Sequence, residues 1–370
     1  MYREQLFDLL GHHYGHIDLD ISRLPRREIA FGRYGRAGFD DRHNGFSTKE
    51  NLRKHLAENP DIVSVFSSVG HYLDPHEPVN AKKDLQSWDL IFDLDSEPTE
   101  GESRYDHIVR MAQTTSQLIE EHLVAEFGFK IEDMEIDWSG NKGFHVTLSG
   151  ERYLSYSLGS RRKLLKHINM VGVIDKGLYN TDNMTIDPIC GGWKKRYHRL
   201  IEDTMMMSYD ENALVDYGYS KVTAKKISNL LEDEGKYLSL EAGRLKVLMD
   251  ADPKILRATT GLCKKRHKHL IDAIDVPVST RQYGIFRVPN SIHEKSGLPC
   301  VRLQFEDLKS PQRIIEAMWE SLGVDFVEIN LEHSVTVEYD KTYKLGPGIQ
   351  TVPRFIAIPA LIKLTSSVGR

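Results

Sequence analysis

The segment Leu90-Ile91-Phe92-Asp93-Leu94-Asp95 constrains the fold of this 370-residue chain more than any other feature. Side chains alternate faces along a β-strand, so the two aspartates should project from one face while Phe92 and Leu94 enter a core. Two carboxylates held this close repel each other unless a cation lies between them, and oxygen ligands suit Mg²⁺ or Mn²⁺. A D-x-D pair alone is more often a solvated strand end, so a metal site depends on what else the chain supplies.

A second chemical signal follows another apolar-rich strand, in the turn Asp137-Trp138-Ser139-Gly140-Asn141-Lys142-Gly143-Phe144-His145. Its glycines expose backbone N–H groups, and the side chains of Ser139, Lys142 and His145 add donors, as phosphate binding requires. A lone S-G-x-x-G turn is a weak signal, and His145 without that turn would be interpreted as a core histidine. Metal-binding carboxylates beside a phosphate-binding turn indicate nucleotidyl transfer.

A third segment carries Ile274-Asp275-Val276-Pro277-Val278-Ser279, and the chain continues with Arg287-Val288-Pro289-Asn290-Ser291-Ile292-His293-Glu294-Lys295-Ser296-Gly297-Leu298. The ordered motifs D-x-D, S-G-x-x-G-x-H-V, I-D-x-x-V-S and R-x-P-x-S-x-H-x-K-S-G-L resemble those of the small catalytic subunit of DNA primases of the archaeo-eukaryotic superfamily. Two N-terminal elements, Arg26-Arg27-Glu28-Ile29-Ala30-Phe31 and Arg42-His43-x-x-Phe46, are similar to that family as well. The resemblance runs from about residue 25 to the end of the chain.

The resemblance implies a role for residues in each motif. Asp93, Asp95 and Asp275 would converge as the catalytic triad that binds two divalent ions, Mg²⁺ or Mn²⁺. The incoming nucleotide would be contacted from the turn, from the segment after the third aspartate and from the N-terminal element. These nucleotide-binding residues would be Ser139, Gly140, Lys142, His145, Arg287, His293, Lys295 and Arg27.

Two of these assignments have rivals nearby. Arg26 adjoins Arg27, and either could face the nucleotide. Asp272 lies close to Asp275, but it is better explained as an exposed residue at a helix end. The sequence also departs from the family, because many small subunits carry a Cys/His zinc module between the first two motifs. The segment 97–133 contains no Cys and only two His, so we expect no zinc there.

Periodicity in the sequence, together with the resemblance, predicts an α/β (α+β) fold: a mixed-sheet primase catalytic core with a helical insertion subdomain. Strand and helix patterns alternate over 1–152 and return over 266–370, which would form a discontinuous core. The intervening 153–265 shows helical spacing and would be the insertion. The longer helices expected are 108–129, 154–171, 215–232, 238–248 and 253–262.

The net charge of −5 argues superficially against nucleic acid, because non-specific binders usually carry a basic surplus. Basic residues are nevertheless grouped at 23–36, 161–163, 194–199 and 264–269, although each group alone is more often a solvated helix face. Such a chain should hold single-stranded DNA weakly by itself. Besides template and nucleoside triphosphates, we therefore expect a large primase subunit as partner in a heterodimer.

No apolar run in the sequence approaches the length needed to cross a membrane, and the N-terminus lacks the pattern of a signal peptide. We therefore expect no membrane association. The expected location is the cytoplasm of an archaeal cell, or the nucleus if the chain is eukaryotic.

The expected function is that of a DNA primase catalytic subunit, which synthesises short RNA or DNA primers on single-stranded DNA by two-metal nucleotidyl transfer. A related alternative is a primer-extending polymerase of the same superfamily, acting in repair or end joining from an existing 3′ end. An alternative of another class is a catalytically silent nucleic-acid-binding subunit. The acidic triad argues against that last alternative, because three acids facing one another would serve no purpose in binding alone.

Overall fold

The structure, a computed structural model, describes residues 2–36, 38–170, 192–193, 196, 200, 203–204, 207, 210–231 and 253–368. Its helices are α1 (Tyr2–His16), α2 (Lys49–Glu58), α3 (Arg104–Gln117), α4 (Glu151–Leu154), α5 (Leu158–Ile168), α6 (Glu211–Tyr217), α7 (Lys221–Leu231), α8 (Pro253–Ala273), α9 (Val276–Ser279), α10 (Pro311–Leu322) and α11 (Arg354–Val368). Its strands are β1 (Ile29–Arg33), β2 (Asp41–Asn44), β3 (Ile62–Ser68), β4 (Gly70–Tyr72), β5 (Leu85–Trp88), β6 (Leu90–Asp95), β7 (Met134–Trp138), β8 (Gly143–Leu148), β9 (Ile285–Arg287), β10 (Val301–Leu303), β11 (Phe326–Leu331), β12 (Val335–Glu338), β13 (Thr342–Leu345) and β14 (Gly348–Pro353). The predicted α+β class is confirmed. None of the described helices is both long and apolar enough to cross a bilayer.

Two four-stranded sheets carry most of the predicted motifs. One has the strand order β2-β1-β3-β9, and the other has the order β10-β7-β8-β6. Their strand pairs are antiparallel, as are those of the three two-stranded sheets in the described part of the chain. The strands are therefore distributed over several small antiparallel sheets, and the inward faces of the two larger ones are fully buried at Phe31, Val65, Phe92 and Val146.

The segment 133–148 is a β-hairpin. β7 and β8 pair with Trp138 opposite Phe144, and the S-G-x-x-G turn closes the hairpin between them. β8 also pairs with β6, which places His145 opposite Asp93 and Gly143 opposite Asp95. A Cβ on Gly143 would lie 1.7 Å from the carbonyl oxygen of Leu94, so this close pairing requires glycine.

The chain divides into two compact units, one of residues 1–119, 129–162 and 273–370, the other of residues 120–128 and 163–272. The first unit contains both four-stranded sheets, and the regular elements described in the second are helices. The predicted division into a core of 1–152 and 266–370 and an insertion of 153–265 stays a prediction.

Four predicted helices differ in extent from those observed. The helix expected over 154–171 begins later, as α5 at Leu158. The helix expected over 215–232 is interrupted by Gly218, which ends α6 with φ of 119° and separates it from α7. The helix expected over 253–262 continues as α8 to Ala273. The helix expected over 108–129 is α-helical only as α3, after which Leu118–Val124 forms a π-helical segment. The helix expected over 238–248 lies outside the described residues.

Candidate active site

β6 presents two aspartates on one face, as the alternation of its sequence predicted. Phe92 and Leu94 are completely buried, whereas Asp93 is partly exposed and Asp95 is exposed. The imidazole Nε2 of His145, on the neighbouring strand, lies 3.6 Å from the Oδ1 atom of Asp93. The pleat of a strand buried on one face therefore positions both carboxylates at the edge of the sheet.

Asp275 reaches the same place from a distant part of the sequence. Its backbone N–H donates to the carbonyl oxygen of Asp93 at 2.9 Å, and Ile274 forms a β-bridge with Leu94. Its carboxylate also caps α9, where Oδ1 accepts a 2.8 Å hydrogen bond from the Val278 N–H. The hydroxyl of Ser279 in turn accepts from the backbone N–H of Asp93 at 3.0 Å, so the two segments are joined directly.

The three carboxylates influence one another electrostatically. Burial, together with the nearby charges of Asp95 and Asp275, raises the pKa of Asp93 to about 7. Burial also raises the pKa of Asp95, with added repulsion from Glu97 and Asp275 that the ammonium of Lys142 partly offsets. This group of hard oxygen ligands could hold divalent cations, which would relieve the repulsion.

The turn between β7 and β8 has a backbone conformation that only glycine tolerates well. Gly140 has φ of 85°, and a Cβ there would lie 2.9 Å from the carbonyl oxygen of Leu298. The hydroxyl of Ser296 donates to the carbonyl of Gly140 at 2.6 Å. Within the turn, the Ser139 hydroxyl accepts from the Gly143 N–H at 3.2 Å, which fixes the loop before any ligand arrives.

The first helical turns of α3 support this loop from outside. Arg104 donates to the carbonyl of Asn141 at 3.1 Å, and the Nε2 atom of His107 lies 2.8 Å from the carbonyl of Lys142. Because Arg110 donates to the Nδ1 atom of His107 at 2.9 Å, Nε2 must carry the proton in a neutral ring. No local pattern predicted these supports, because they contact the turn across more than thirty positions of sequence.

A cleft of about 620 Å³ brings these groups together between the two larger sheets. The predicted residues that line it are Asp93, Asp95, Ser139, Lys142, His145, Arg287 and His293. One wall of the cleft is apolar and is formed by Phe66, Val278, Ile285 and Phe286. These four residues were not among the predicted site residues. The cleft is thus lined by carboxylates, by cationic and neutral hydrogen-bond donors, and by apolar side chains.

Arg287 is buried beside the cleft with part of its hydrogen-bonding capacity unused. One terminal nitrogen, Nη2, donates to Glu294 at 2.8 Å, and the guanidinium lies 4.5 Å from the ring centroid of Phe66. The other terminal nitrogen, Nη1, is buried and has no hydrogen-bond partner among the described residues. A buried guanidinium with an unused donor is suited to an anionic ligand.

Both histidines of the cleft are neutral. Burial and the charge of Arg287 lower the pKa of His145 and of His293 to about 3 each. The Nδ1 atom of His293 accepts from the backbone N–H groups of Lys295 and Ser296 at 3.2 and 3.3 Å. Its proton therefore resides on Nε2, which leaves an N–H donor for a ligand.

Lys142 and Lys295 differ in their surroundings. The ammonium of Lys142 lines the cleft and forms an ion pair with Glu97, next to the end of β6. Lys295 is exposed and does not line the cleft. Gly140 does not line the cleft either, and its effect on the site is through the shape of the turn.

Arg27 lies away from the acids, in contacts of its own. Its guanidinium forms a buried ion pair with Asp89 at 2.6 Å and donates to the carbonyl oxygens of Ser68 and Ser22. It lines a neighbouring cavity of about 470 Å³ that shares His145 and Arg287 with the cleft. Arg26, its rival in the sequence, is exposed.

A different group of side chains in the second unit could also hold a metal ion. Ligand atoms of His122, Glu126 and His167 all lie within 4.8 Å of one another. The same carboxylate of Glu126 accepts a 2.7 Å hydrogen bond from the Nε atom of Arg196, so a guanidinium already neutralises it. No spacing in the sequence indicated this possible metal site, because His167 is far from His122 and Glu126 in sequence.

The fold and the cleft define a class: α+β proteins in which clustered aspartates lie beside a glycine turn with donor side chains, an arrangement that suits metal-dependent nucleotidyl transfer. Comparison with known proteins is more specific. Residues 92–305 match the family of DNA primase small subunits, and this chain belongs to that family.

Individual relatives are similar along most of their length. The DNA primase small subunit PriS of Methanococcoides burtonii is 25% identical over 94% of this chain and 93% of its own. The protein of the same name from Methanosphaerula palustris is 28% identical, over 86% of this chain and 84% of its own. That of Haloarcula marismortui is 26% identical over 83% of this chain.

Proposed function

We propose that this chain is the catalytic subunit of a DNA primase, which joins nucleotides into short primers on a single-stranded DNA template. The observation that carries the proposal is the convergence of Asp93, Asp95 and Asp275 beside a glycine turn in a chain of the primase small-subunit family. Phosphoryl transfer asks for positioning and charge neutralisation more than for covalent chemistry, and this cleft supplies both.

The acids are the proposed site for two Mg²⁺ or Mn²⁺ ions. Their fit to such ions follows from the ligand type, which is oxygen only, and from the raised pKa values of Asp93 and Asp95, which nearby cations would lower. Bound ions would lower the pKa of the attacking hydroxyl group and neutralise the triphosphate. Oxygen-only ligation disfavours zinc at this position.

The proposed triphosphate pocket comprises the turn and the donors facing it. Lys142 would exchange its contact with Glu97 for the phosphates, His293 would donate through Nε2, and Arg287 would donate through Nη1. His145, between the acids and Arg287, is held neutral and could donate without adding charge next to the metal site. Ser139 and Gly140 would shape the loop.

Two predicted contacts would be less direct. Lys295 is long and exposed, so it could reach the outer phosphate from the rim of the cleft. Arg27 is held by Asp89, and its proposed contribution is to support the wall behind His145. Direct contact of Arg27 with nucleotide stays a prediction.

Partners follow from the same proposal. A small subunit implies a larger one, and we propose a heterodimer with a primase large subunit, single-stranded DNA as template and nucleoside triphosphates as substrates. The relatives named above come from archaea, so the proposed location is the cytoplasm.

The test of the proposed function is nucleotide incorporation by the purified chain on single-stranded DNA with Mn²⁺, with and without an annealed primer. Labelled product without primer is the expected result. Product that forms only with primer would favour the primer-extending alternative from the same superfamily. Absence of product under both conditions, with or without the large subunit, would favour a silent binding subunit and contradict the proposal.

A further inference from the structure

One face of α8 is exposed and almost entirely basic. The sequence of this helix contains six Lys or Arg residues and a single acidic residue. Its exposed positions recur at intervals of three or four and therefore share one face, whereas the opposite face is buried at Ile255, Leu262, Cys263 and Leu270. The exposed positions are Lys254, Arg257, Gly261, Lys264, Lys265, Lys268 and Asp272.

The charges on this face are spread along the helix axis. At 1.5 Å per residue, Lys254 and Lys268 are about 21 Å apart along the axis, and every turn between them except that of Gly261 carries a basic side chain. Like charges at these intervals repel each other and destabilise a helix. The only acid on the face, Asp272, lies 4.0 Å from Lys268 at its end. A row of cations this long matches a ligand that is itself a row of anions.

A glycine stands in the middle of the row. Gly261 is exposed, and a Cβ added to it would meet no atom within 4 Å. Packing therefore gives no reason for glycine, which weakens a helix relative to alanine. The absence of a side chain does allow a bulky ligand to approach the helix backbone between the flanking cations Arg257 and Lys264.

We propose that this face of α8 binds the phosphate backbone of nucleic acid, and that the ligand is the template strand of the priming reaction. The identification of the ligand as template rests on the proposed function. The inference that α8 binds nucleic acid rests on the row of exposed basic side chains. A protein partner fits less well, because the α8 side chains described as exposed include no apolar one and lysine is depleted at protein interfaces.

The first test removes two charges from the face in the full-length chain. The Lys264→Gln/Lys265→Gln variant should bind a fluorescent single-stranded oligodeoxythymidine several-fold more weakly in anisotropy titrations. Its plot of log affinity against log salt should be shallower by about 1.4, since each phosphate contact on a single strand contributes about 0.7. The control is Lys341→Gln/Lys344→Gln, which makes the same charge change at two exposed positions, one in β13 and one just before it.

An unchanged salt slope in the α8 variant, or an equal change in the β13 control, would overturn the proposal. A single-stranded RNA of the same length serves as a second ligand. If the α8 variant lost affinity for RNA alone, the face would bind primer and not template. If DNA affinity were unchanged while binding of the large subunit was lost, the face would be a protein interface.

The second test uses Gly261→Ala, for which the proposal predicts effects of opposite sign. Alanine should raise the midpoint of thermal unfolding and weaken DNA binding, because it strengthens the helix and obstructs the backbone. Gly15→Ala, at a position of α1 where an added Cβ also meets nothing within 4 Å, should raise the midpoint and leave DNA binding unchanged. Higher thermal stability of Gly261→Ala with unchanged DNA affinity would contradict a role for this glycine and the close contact inferred from it.

Failure of this inference is distinguishable from failure of the proposed function. Nucleotide incorporation by the wild-type chain decides the proposed function, whereas the α8 variants are compared with wild type only by their binding of nucleic acid. A wild-type chain that incorporates nothing would contradict the proposed function, while the binding data would still decide whether α8 holds nucleic acid.

Discussion

At the scale of single residues, Asp93 combines two conflicting requirements. Its place on a strand whose opposite face is buried at Phe92 and Leu94 fixes the carboxylate accurately, but burial and two neighbouring acids make ionisation costly. The residue is therefore poised to release its proton when a cation arrives.

The first prediction concerns Asp93→Asn and the pH dependence of stability. With a folded-state pKa of about 7 against 3.8 in the unfolded chain, the folded protein binds the extra proton, so wild-type stability should fall as pH rises between these values. Asp93→Asn has no carboxylate at this position, so its stability should not fall in this way. Denaturant unfolding should therefore show its stability relative to wild type rising by about 2 to 3 kcal/mol between pH 5 and pH 8.

The same experiment with metal provides a control. Mn²⁺ at pH 8 should stabilise the wild type more than Asp93→Asn, because ion binding depends on the ionised carboxylate. A stability difference that is independent of pH, together with equal effects of Mn²⁺ on both proteins, would contradict both the raised pKa of Asp93 and its role as a metal ligand.

The second prediction concerns His293, whose Nε2 donor is proposed to contact phosphate. Replacement by Ala should weaken binding of a nucleoside triphosphate about tenfold, a loss of about 1.4 kcal/mol for one charge-assisted hydrogen bond, and leave affinity for a nucleoside without phosphates unchanged. Calorimetry with both ligands measures this, with the exposed His333→Ala as control. Equal weakening of both ligands would indicate that His293 shapes the cleft instead.

At the scale of elements, the turn between β7 and β8, which is the proposed phosphate-binding loop, is held in place by its own contacts. Its shape is set by Gly140, by the hydroxyls of Ser139 and Ser296 and by the side chains that α3 contributes. A ligand therefore meets donors that are already ordered, which reduces the entropy lost on binding.

The third prediction compares two glycines with similar backbone conformations. Gly140→Ala combines unfavourable φ with a contact of 2.9 Å to the Leu298 carbonyl, whereas Gly35→Ala, at φ of 75°, meets nothing within 4 Å. Both should lose about 1 kcal/mol of folding free energy, and Gly140→Ala should lose a further 1 to 3 kcal/mol and raise the KM for nucleotide. The same loss in both variants, with unchanged KM, would show that the turn adapts freely.

Local patterns in the sequence predicted those parts of the site that depend on neighbours along the chain. Strand alternation placed Asp93 and Asp95 on one face, and the glycine spacing predicted the tight turn. The position of Asp275 beside them came from resemblance, because its bonds to β6 join segments far apart in sequence.

Other features were invisible in the sequence for the same physical reason. The apolar wall around Phe286 and the support from His107 arise from tertiary packing, which leaves no periodic signal. Helical spacing also failed to show that hydrogen bonding shifts to the π pattern after Gln117, since apolar positions continue through the shift.

At the scale of the whole molecule, charge is unevenly distributed. The chain carries a net charge of −5, yet α8 alone has six basic residues. Nucleic acid would therefore be repelled by most of the surface and attracted by restricted parts of it.

The fourth prediction follows from this uneven distribution of charge. The isolated chain should bind single-stranded DNA weakly, with a dissociation constant that rises steeply with salt, because few phosphates can be neutralised at once. Anisotropy titrations of the chain alone and with the large subunit measure this, and the complex should bind more tightly. Tight and salt-insensitive binding by the isolated chain, with efficient unaided priming, would contradict the expected dependence on a partner.

The central claim is that three acids from two distant segments form one catalytic centre, and a pair of nearby aspartates tests it most directly. Asp275 is bonded to β6 at the cleft, whereas Asp272 is exposed at the end of α8. The measurement is the rate of nucleotide incorporation on a primed template with Mn²⁺ by Asp275→Ala and Asp272→Ala. We expect Asp275→Ala to lose more than tenfold, at least about 1.4 kcal/mol of barrier, and Asp272→Ala to stay within about twofold of wild type. Retention of more than about a tenth of the activity by Asp275→Ala, or an equal loss in Asp272→Ala, would contradict the claim.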